Sequence, residues 1–332
     1  MTAGPARVLD ALRRAGGRTC SGESLSAQQG VSRAQIWKHV ESLRARGYGI
    51  DALAGDGYRL REIPDRLYPE EIQAGLETHW LGREIHYFES TDSTNRVALE
   101  LARTGADHGT AVVAEGQTAG RGRLGRSFFS PPYLNLYTSV VLRPRLSIAA
   151  APTTVLAAAV SVAEAAAETL DDRDAVEIKW PNDVLLAGLK TSGILMELGA
   201  EAARVDFLVL GIGVNLNVDA QSFPAEFRER ATSLSSHLGR AVDRVAFAQC
   251  LFTQLERTLD ECAEGTFDAV RPRFEAFFRM PGRRVRIQEL DGGSLDGTAL
   301  GIDEDGALRV ERTDGTETRV VAGDVTFEKE SP

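Results

Sequence analysis

The sequence predicts an α+β chain in three parts, and three observations predict it. A basic N-terminal stretch carries three helical patterns and then a hairpin pattern. A long central region alternates helices with strands of mixed character. After Met280-Pro281-Gly282 the texture changes to short alternating strands separated by DGG, DEDG and DG turns. Helices interleaved with mixed strands imply an α+β layer architecture. The expected division is 1–63, 68–278 and 281–332.

Bulk composition narrows the function classes. A chain of 332 residues has room for two or three domains. Its 43% hydrophobic and 26% charged content is ordinary for a globular protein. No apolar run is expected to be long enough to span a bilayer. The first residues, MTAGPARVLDALRR, lack the apolar stretch of a signal peptide. A soluble, cytoplasmic protein with no membrane partner is therefore expected. Cys20, Cys250 and Cys262 form no C-x-x-C pair, and five scattered histidines form no metal-spaced cluster, so no structural metal is expected. The net charge of −10 is unevenly spread. Residues 1–62 hold ten Lys/Arg against six Asp/Glu, whereas the remainder holds 28 against 42. A basic module on an acidic body points to a nucleic-acid partner for the module alone.

The N-terminal elements run in order. Val8, Leu9 and Leu12 sit at helical spacing before a Gly pair. SGESLSAQQG is a second short helix ending at Gly30, and VS is the turn. Ser32 caps a third helix, RAQIWKHVESLRARG, with Gln35 three residues on as a capping box. Ile36, Val40 and Leu43 form its buried stripe, leaving Arg33, Gln35 and Lys38 toward the other side. YGIDALAGDGYRL reads as two strands around a Gly-Asp-Gly turn. Together these make a winged helix-turn-helix, whose third helix enters the major groove with Ser32, Arg33, Gln35 and Lys38 near the DNA. A three-helix packing module with a solvated charged face is the bland alternative. IPDRLYP then reads as a linker.

In the central region IHYFES, GTAVVAEGQ, LNLYTSVVLRP, KTSGILMEL and VDFLVLGIGVNLN read as strands, and VEIKWPNDVLL as a strand broken at Pro181. STNRVALELARTG is a helix begun by Ser93 or Thr94. APTTVLAAAVSVAEAAAETL is a long Ala-rich helix with Val155, Ala159, Val162 and Ala166 on one face. AFAQCLFTQLERTLDEC is a second amphipathic helix. The closing segments RRVRIQEL, GTALGIDE, ALRVERT and ETRVVAGDVTFE suggest a small β-barrel.

The stretch TAGRGRLGRSFFSPP raises the central question, because Gly120, Gly122 and Gly125 spell G-x-G-x-x-G. A dinucleotide turn needs a strand before it, a helix after it and an acid about twenty residues on. The strand is present, but two prolines and another strand follow, and SVVLRP supplies no acid. The Rossmann reading fails on context. Glycine instead lets the backbone approach a ligand closely, and Arg121, Arg123 and Arg126 add bidentate anion contacts. Such a loop suits a substrate with both carboxylate and phosphate. Its alternative is a mobile surface loop, weakened by the flanking Phe128, Phe129, Pro131 and Pro132.

Other stretches leave alternatives open. In KWPND, Lys179 can pair with a phosphate, and Asn182 and Asp183 can hold a ribose, a Mg²⁺ ion or a nucleophile's proton. Pro-Asn-Asp is equally turn chemistry. Lys190 can reach a reacting carboxylate or α-phosphate, or be a surface lysine. GIGVNLN, with Asn215 and Asn217, suits close approach to a flat ligand or a plain turn. Ser93, Thr94 and Asn95 offer hydroxyls and N–H groups at a helix N-terminus, for a neutral polar head group or for a cap.

Taken in order, DSTN, EGQTAGRGRLGRSFFSPP, KWPNDVLL, LKTSGILMEL and GIGVNLN resemble the motif series of the biotin protein ligases. With the helix-turn-helix in front, the chain resembles the bifunctional form that also represses the biotin operon. The resemblance covers nearly the whole chain and implies a mixed-sheet ligase domain of the biotin/lipoate ligase type, with an SH3-like β-barrel behind it. It implies activation of biotin by ATP and Mg²⁺ to biotinyl-5′-AMP, then transfer to one lysine of a biotin carboxyl carrier protein. It implies operator DNA as a partner, and a homodimer when the adenylate is bound. By the same resemblance Ser93, Thr94, Asn95 and Gln117 contact the biotin head group. Gly120, Arg121, Gly122 and Arg123 close over biotin and its adenylate, while Gly193, Gly211 and Gly213 line the pocket. Lys190 contacts the carboxylate and activated phosphate. Lys179, Asn182, Asp183 and Asn215 are nucleotide-side groups, with Asp183 placed to help deprotonate the acceptor lysine. Arg123, Lys190 and Asp183 are the expected catalytic set. Phe128 stands where many relatives have Trp over the adenine. A lipoate ligase or acyltransferase on the same fold, and a non-catalytic biotin-sensing transcription factor, are the competing readings.

Overall fold

A computed structural model describes all residues except 2, 54, 202–203, 266, 290–291 and 328–332. The chain divides into two compact units, Met1–Arg66 and Leu67–Pro332.

In the first unit helices Ala3–Arg14, Gly22–Gln29 and Arg33–Ala45 precede the hairpin of β1 (Gly49–Leu53) and β2 (Gly57–Glu62). Val8, Leu9 and Leu12 are buried with Leu25 and with the Ile36, Val40, Leu43 stripe, as the periodicity requires. Gly30 ends the second helix in the left-handed conformation at φ 66°. Ser32 caps the third helix by accepting from the Gln35 backbone N–H. The reciprocal half of the expected capping box is absent among the described residues. The Gln35 amide instead lies 3.4 Å from His39 Nε2. Gln35 is therefore half-buried along the helix flank rather than turned outward with Arg33 and Lys38.

The second unit is built on a seven-stranded mixed sheet. Its strands are β3 (Ile85–Phe88), β4 (Ala111–Ala114), β5 (Leu136–Leu142), β6 (Val176–Lys179), β7 (Asp183–Leu186), β8 (Leu189–Glu201) and β9 (Arg204–Val214). Their spatial order is β3-β4-β5-β9-β8-β7-β6, with only the β3–β4 pair parallel. Strand periodicity divides its residues between two faces. Val140, Leu142, Leu208, Leu210 and Ile212 join a large core with helices Pro152–Leu170 and Arg244–Gly265. Alternate residues Val141, Phe207 and Val209 pack with Ala98 and Ala102 of helix Thr94–Arg103.

Three expectations change here. The Ala-rich helix is buried on nearly every side rather than along one stripe, and Val155 is only partly buried. Alanine allows this, because small side chains let neighbours approach from all directions. This helix, counted from Ile148 to Leu170, is also long and apolar enough by composition to cross a membrane, contrary to the expectation that no such run exists. Its window is 61% buried within the protein, as befits a central core helix. IPDRLYP is not wholly a linker: Leu67 is fully buried, its N–H donates to Glu115 Oε1 at 2.8 Å, and Pro69 opens a short helix, Pro69–Ala74.

At the C-terminal end β10 (Arg284–Gln288), β11 (Ser294–Ile302), β12 (Leu308–Arg312), β13 (Glu317–Val320) and β14 (Asp324–Phe327) form an antiparallel sheet in the order β13-β12-β11-β10-β14. The segment ETRVVAGDVTFE, read as one strand, is two strands on opposite edges. Among the described residues no pairing joins β13 to β14, so the expected barrel is an open five-stranded sheet.

Candidate active site

The cleft lies where the sheet loses its side chains. On the face that carries Val209, the next outward positions of β9 are Gly211 and Gly213, and Gly193 of β8 pairs with Gly213. Helix Thr94–Arg103 covers this face over the valines and begins at the glycines. A Cβ on Gly211 would come within 1.9 Å of Asn95 Oδ1, and one on Gly213 within 2.7 Å of the Phe128 ring. The glycines therefore make room for a helix start and an aromatic ring, which neither a strand nor a turn by itself explains.

The resulting cleft, of about 480 Å³, is lined by residues from both sheet and loop. Ser93, Thr94, Asn95, Gln117, Arg121, Gly122, Arg123, Phe128, Asn182, Lys190, Gly193, Gly211 and Gly213, all named from sequence, meet there. Lys179, Asp183 and Asn215 line an adjoining larger cleft that shares Gly122, Arg123, Phe128, Asn182 and Lys190 with the first. Gly120 lies behind the wall: a Cβ there would come 2.5 Å from both Phe128 O and Ser130 Oγ.

Polar groups at the head of the cleft are already held. Thr94 N–H donates to Gln117 Oε1 at 2.9 Å, and Gln117 Nε2 donates to Ser130 Oγ at 3.0 Å. Ser139 Oγ lies 2.8 Å from Thr94 Oγ1 and donates to Asn95 Oδ1 at 2.6 Å. Asn95 Nδ2 donates to Glu197 Oε2 at 3.0 Å. Asn95 thus has both ends of its amide occupied and acts as a strut in the cleft wall. Ser93 occupies the helix N-cap position, but its hydroxyl makes no capping bond; Asp92 Oδ1 accepts the Ser93 N–H at 2.7 Å instead.

The glycine-rich loop is a tight return, closed by Gly122 N–H to Arg126 O at 2.7 Å. No helix follows it: a single 3₁₀ turn, Arg123–Gly125, precedes the approach to β5. Each arginine has its own anchor. Arg121 pairs with Glu197 at 3.2 Å. Arg123 donates to Asn182 Oδ1 at 2.8 Å and to the Gly323 carbonyl at 2.9 Å. Arg126 pairs with Asp324 at 2.6 Å. The loop is thus bound on one side by the sheet and on the other by the turn between β13 and β14. Its aromatic flank is packed, with Phe129 5.9 Å from Phe223 and Phe128 6.4 Å from Tyr137 between ring centroids.

Lys190 Nζ donates to Asp183 Oδ1 at 2.6 Å. The pair follows from sheet geometry, since β7 and β8 are antiparallel neighbours joined by a short turn. Lys179 sits in the same strand break, its ammonium 5.8 Å from the Phe327 ring centre. Burial pushes the Lys179 ammonium below the usual lysine range, partly opposed by Asp183 and Asp324. Burial also lowers Arg123, against Asp324 and Asp183. A guanidinium starts high enough that Arg123 stays charged.

Several supporting residues escaped sequence reading. Glu115 and Arg244 are fully buried and paired at 2.8 Å, with Glu115 Oε1 also accepting from the Leu67 N–H. Arg244 Nη1 reaches the Asn135 carbonyl at 3.3 Å, and Asn135 Oδ1 accepts the Leu216 N–H at 2.9 Å. Ser139, Glu197 and Asp324 complete the set. The signal for Glu115 and Ser139 was available, as polar residues within or ending apolar strands (AVVAE, LYTSVVL). Nothing in a single sequence links Arg126 to Asp324, 198 residues away.

A glycine loop carrying three arginines and a lysine–carboxylate pair over a mixed sheet, on a chain with a basic helix-turn-helix module, fit a ligase-type catalytic unit joined to a DNA-binding unit. Family models match in the same order: an HTH domain over 6–59, the Biotin/lipoate A/B protein ligase family over 87–215, and the Biotin protein ligase C terminal domain over 282–327. The chain is 37% identical over 308 residues to the bifunctional ligase/repressor BirA of Bacillus subtilis (strain 168), covering 93% of this chain and 94% of the relative. It is 31% identical over 314 residues to the Escherichia coli (strain K12) BirA, covering 94% of each. The solved biotin protein ligase from Aquifex aeolicus in complex with biotin and ATP superposes with a TM-score of 0.64 at 28% identity, covering 75% of this chain and 100% of that one. The chain belongs to the biotin protein ligase family, in its bifunctional ligase/repressor branch.

Proposed function

We propose that the protein joins biotin to ATP as biotinyl-5′-AMP, transfers the biotin to one lysine of a biotin carboxyl carrier protein, and represses transcription through its N-terminal unit. The carrying observation is the convergence of Lys190, Asp183, Arg123 and Asn182 between the two clefts, beneath one anchored loop. Biotin lies in the smaller cleft with its head toward Ser93, Thr94 and Gln117 and with Arg121, Gly122 and Arg123 closed over it, Gly120 backing the loop from behind the wall. The nucleotide enters the larger cleft, as MgATP, toward Lys179, Asn182 and Asn215, with Phe128 between the two. Asp183, the carboxylate beside Lys179 and Lys190, would be the protein group to hold Mg²⁺, which would neutralise part of the nucleotide's phosphate charge.

A biotin carboxylate oxygen attacks the α-phosphorus and the bond to the pyrophosphate oxygen breaks. Two anions must meet for this, and Arg121, Arg123 and Lys190 offset their repulsion and stabilise charge in the transition state. Without substrate, Lys190 and Asp183 satisfy each other. A substrate anion that takes Lys190 frees the Asp183 carboxylate to accept the acceptor lysine's proton. That amine then attacks the acyl carbon and AMP leaves. No protein nucleophile is needed. The mixed anhydride is water-sensitive, so closure of the loop suppresses hydrolysis.

Residues 1–63 are the DNA-binding domain, with Ser32, Arg33 and Lys38 toward operator DNA and Gln35 set back along the helix flank. Residues 68–278 are the ligase domain and 281–332 a domain of SH3-like ancestry. The protein works in the cytoplasm and dimerises when it holds the adenylate. Exchange of labelled pyrophosphate into ATP tests the chemistry. Biotin should support exchange and lipoate should not; exchange driven by lipoate alone would favour the rival ligase.

A further inference from the structure

The recognition helix Arg33–Ala45 presents one large apolar side chain to solvent. Trp37 is 53% exposed, while Ile36, Val40 and Leu43 of the same helix are fully buried. The wheel separates the two sets. Arg33 and Trp37 are four residues apart and share a face, and Lys38 follows beside them. Arg33 is 71% exposed at its side chain and its nearest carboxylate, Glu23, is itself open to water at 3.5 Å. The helix face that carries the exposed Arg33 and Lys38 therefore also carries an exposed aromatic ring, an amphipathic combination suited to a charged partner with an apolar feature.

The occupant follows from charge. The unit carrying Trp37 is basic, whereas the rest of the chain holds 42 acidic against 28 basic residues. Against a polyanion the cations take phosphates and the ring is left facing the groove. In the major groove the apolar feature is the thymine C5-methyl group, and no other base offers one. We propose that Trp37 is a specificity-determining residue of the DNA-binding unit and reads a thymine methyl in the major groove. This rests on the DNA-binding reading and names the side chain and base that would carry part of its specificity. Gln35 contributes less, since its amide is engaged along the helix flank with His39.

The test uses the full chain with biotin and MgATP. A duplex is first selected by this protein from a random pool. Thymines in the selected site are then replaced one at a time by deoxyuridine, which lacks only the methyl. At one thymine per half-site the parent should lose about tenfold in affinity, as befits an aromatic contact. Trp37→Ala should bind the original duplex about tenfold more weakly and be indifferent to that replacement. Its salt dependence should match the parent's, since no phosphate contact is removed. Trp37→Phe should recover part of the loss. Carrier labelling should be unchanged in both variants. Equal binding by Trp37→Ala and parent, or equal sensitivity to deoxyuridine, overturns the proposal. A Trp37→Ala defect in self-association without DNA overturns it too, because the ring would then face a second copy. Failure of the parent to enrich any duplex overturns the DNA-binding reading itself, a distinct outcome.

Discussion

The ligase cleft and the third helix of the N-terminal unit hold their cationic side chains in opposite ways. In the ligase cleft Arg123 is half-buried and already donates to Asn182 and Gly323, Asn95 is spoken for at both ends, and the Glu115–Arg244 pair is fully buried. On the recognition helix Arg33, Trp37 and Lys38 stand in water, and among the described residues only Arg33 of the three touches a carboxylate, loosely. A small ligand in a dry cleft needs donors held in place beforehand. A long polyanion supplies many contacts and tolerates mobile partners. Preorganisation in one region and exposure in the other therefore reflect what each must hold.

The sharpest way to break this contrast is at Lys190. Lys190→Ala should lower adenylate formation by about 10²–10³-fold, measured by pyrophosphate exchange, and leave DNA retention by the ligand-free protein unchanged. Next come the two ion pairs that typify the regions. Glu115→Ala strands a buried guanidinium and should cost about 3–5 kcal/mol in urea unfolding. Glu23→Ala, at the exposed pair, should cost under about 1 kcal/mol. Equal losses would erase the distinction. Arg123→Gly removes two charge-assisted hydrogen bonds from the loop and should speed adenylate release about 10–100-fold with the fold intact. In the parent, hydrogen exchange across residues 118–128 should slow on adding biotin; an unchanged pattern in the parent would count against the loop as a closing lid.

Smaller effects belong to the exposed helix. Arg33→Ala and Lys38→Ala should each weaken operator binding and reduce the magnitude of the salt slope by about one, with carrier labelling untouched. The smallest effect concerns stability. Lys179 has a folded pKa pushed below its unfolded one by burial. The folded state therefore holds that proton less tightly, and the penalty is full at neutral pH, fading as pH rises through the folded toward the unfolded pKa. Lys179→Met should raise Tm at pH 7, by less at pH 10, while weakening the response to ATP. A lower Tm would mean the ammonium is well paired.

Much of this was legible in the sequence, for reasons that can be named. The helix-turn-helix announced itself through local signals: Ser32 as a cap, Gly30 as a stop and a 3.6-residue stripe. Gly211 and Gly213 were legible as candidates for close approach, with a plain turn as the alternative, whereas Gly193 entered only through the family resemblance. Rejecting the dinucleotide turn also needed only local context, namely prolines and a strand where a helix should start. What was not legible is non-local. The anchors of the loop come from Glu197, Asn182 and Asp324, and the last sits on a segment read as a single strand. The turn that divides β13 from β14 carries Gly323 and Asp324 to Arg123 and Arg126, so missing that turn hid the anchor. Leu67 was hidden similarly, because Pro64 and Pro69 outweighed one leucine whose role is set by Glu115.

The cleft under the arginine loop is proposed to activate biotin for transfer to a lysine. The most direct test is mass spectrometry of a carrier domain incubated with the protein, biotin and MgATP. One added biotin is expected, located on a single lysine and lost with Lys190→Ala. A carrier that remains unmodified with biotin, or is modified when lipoate is supplied instead, would contradict it.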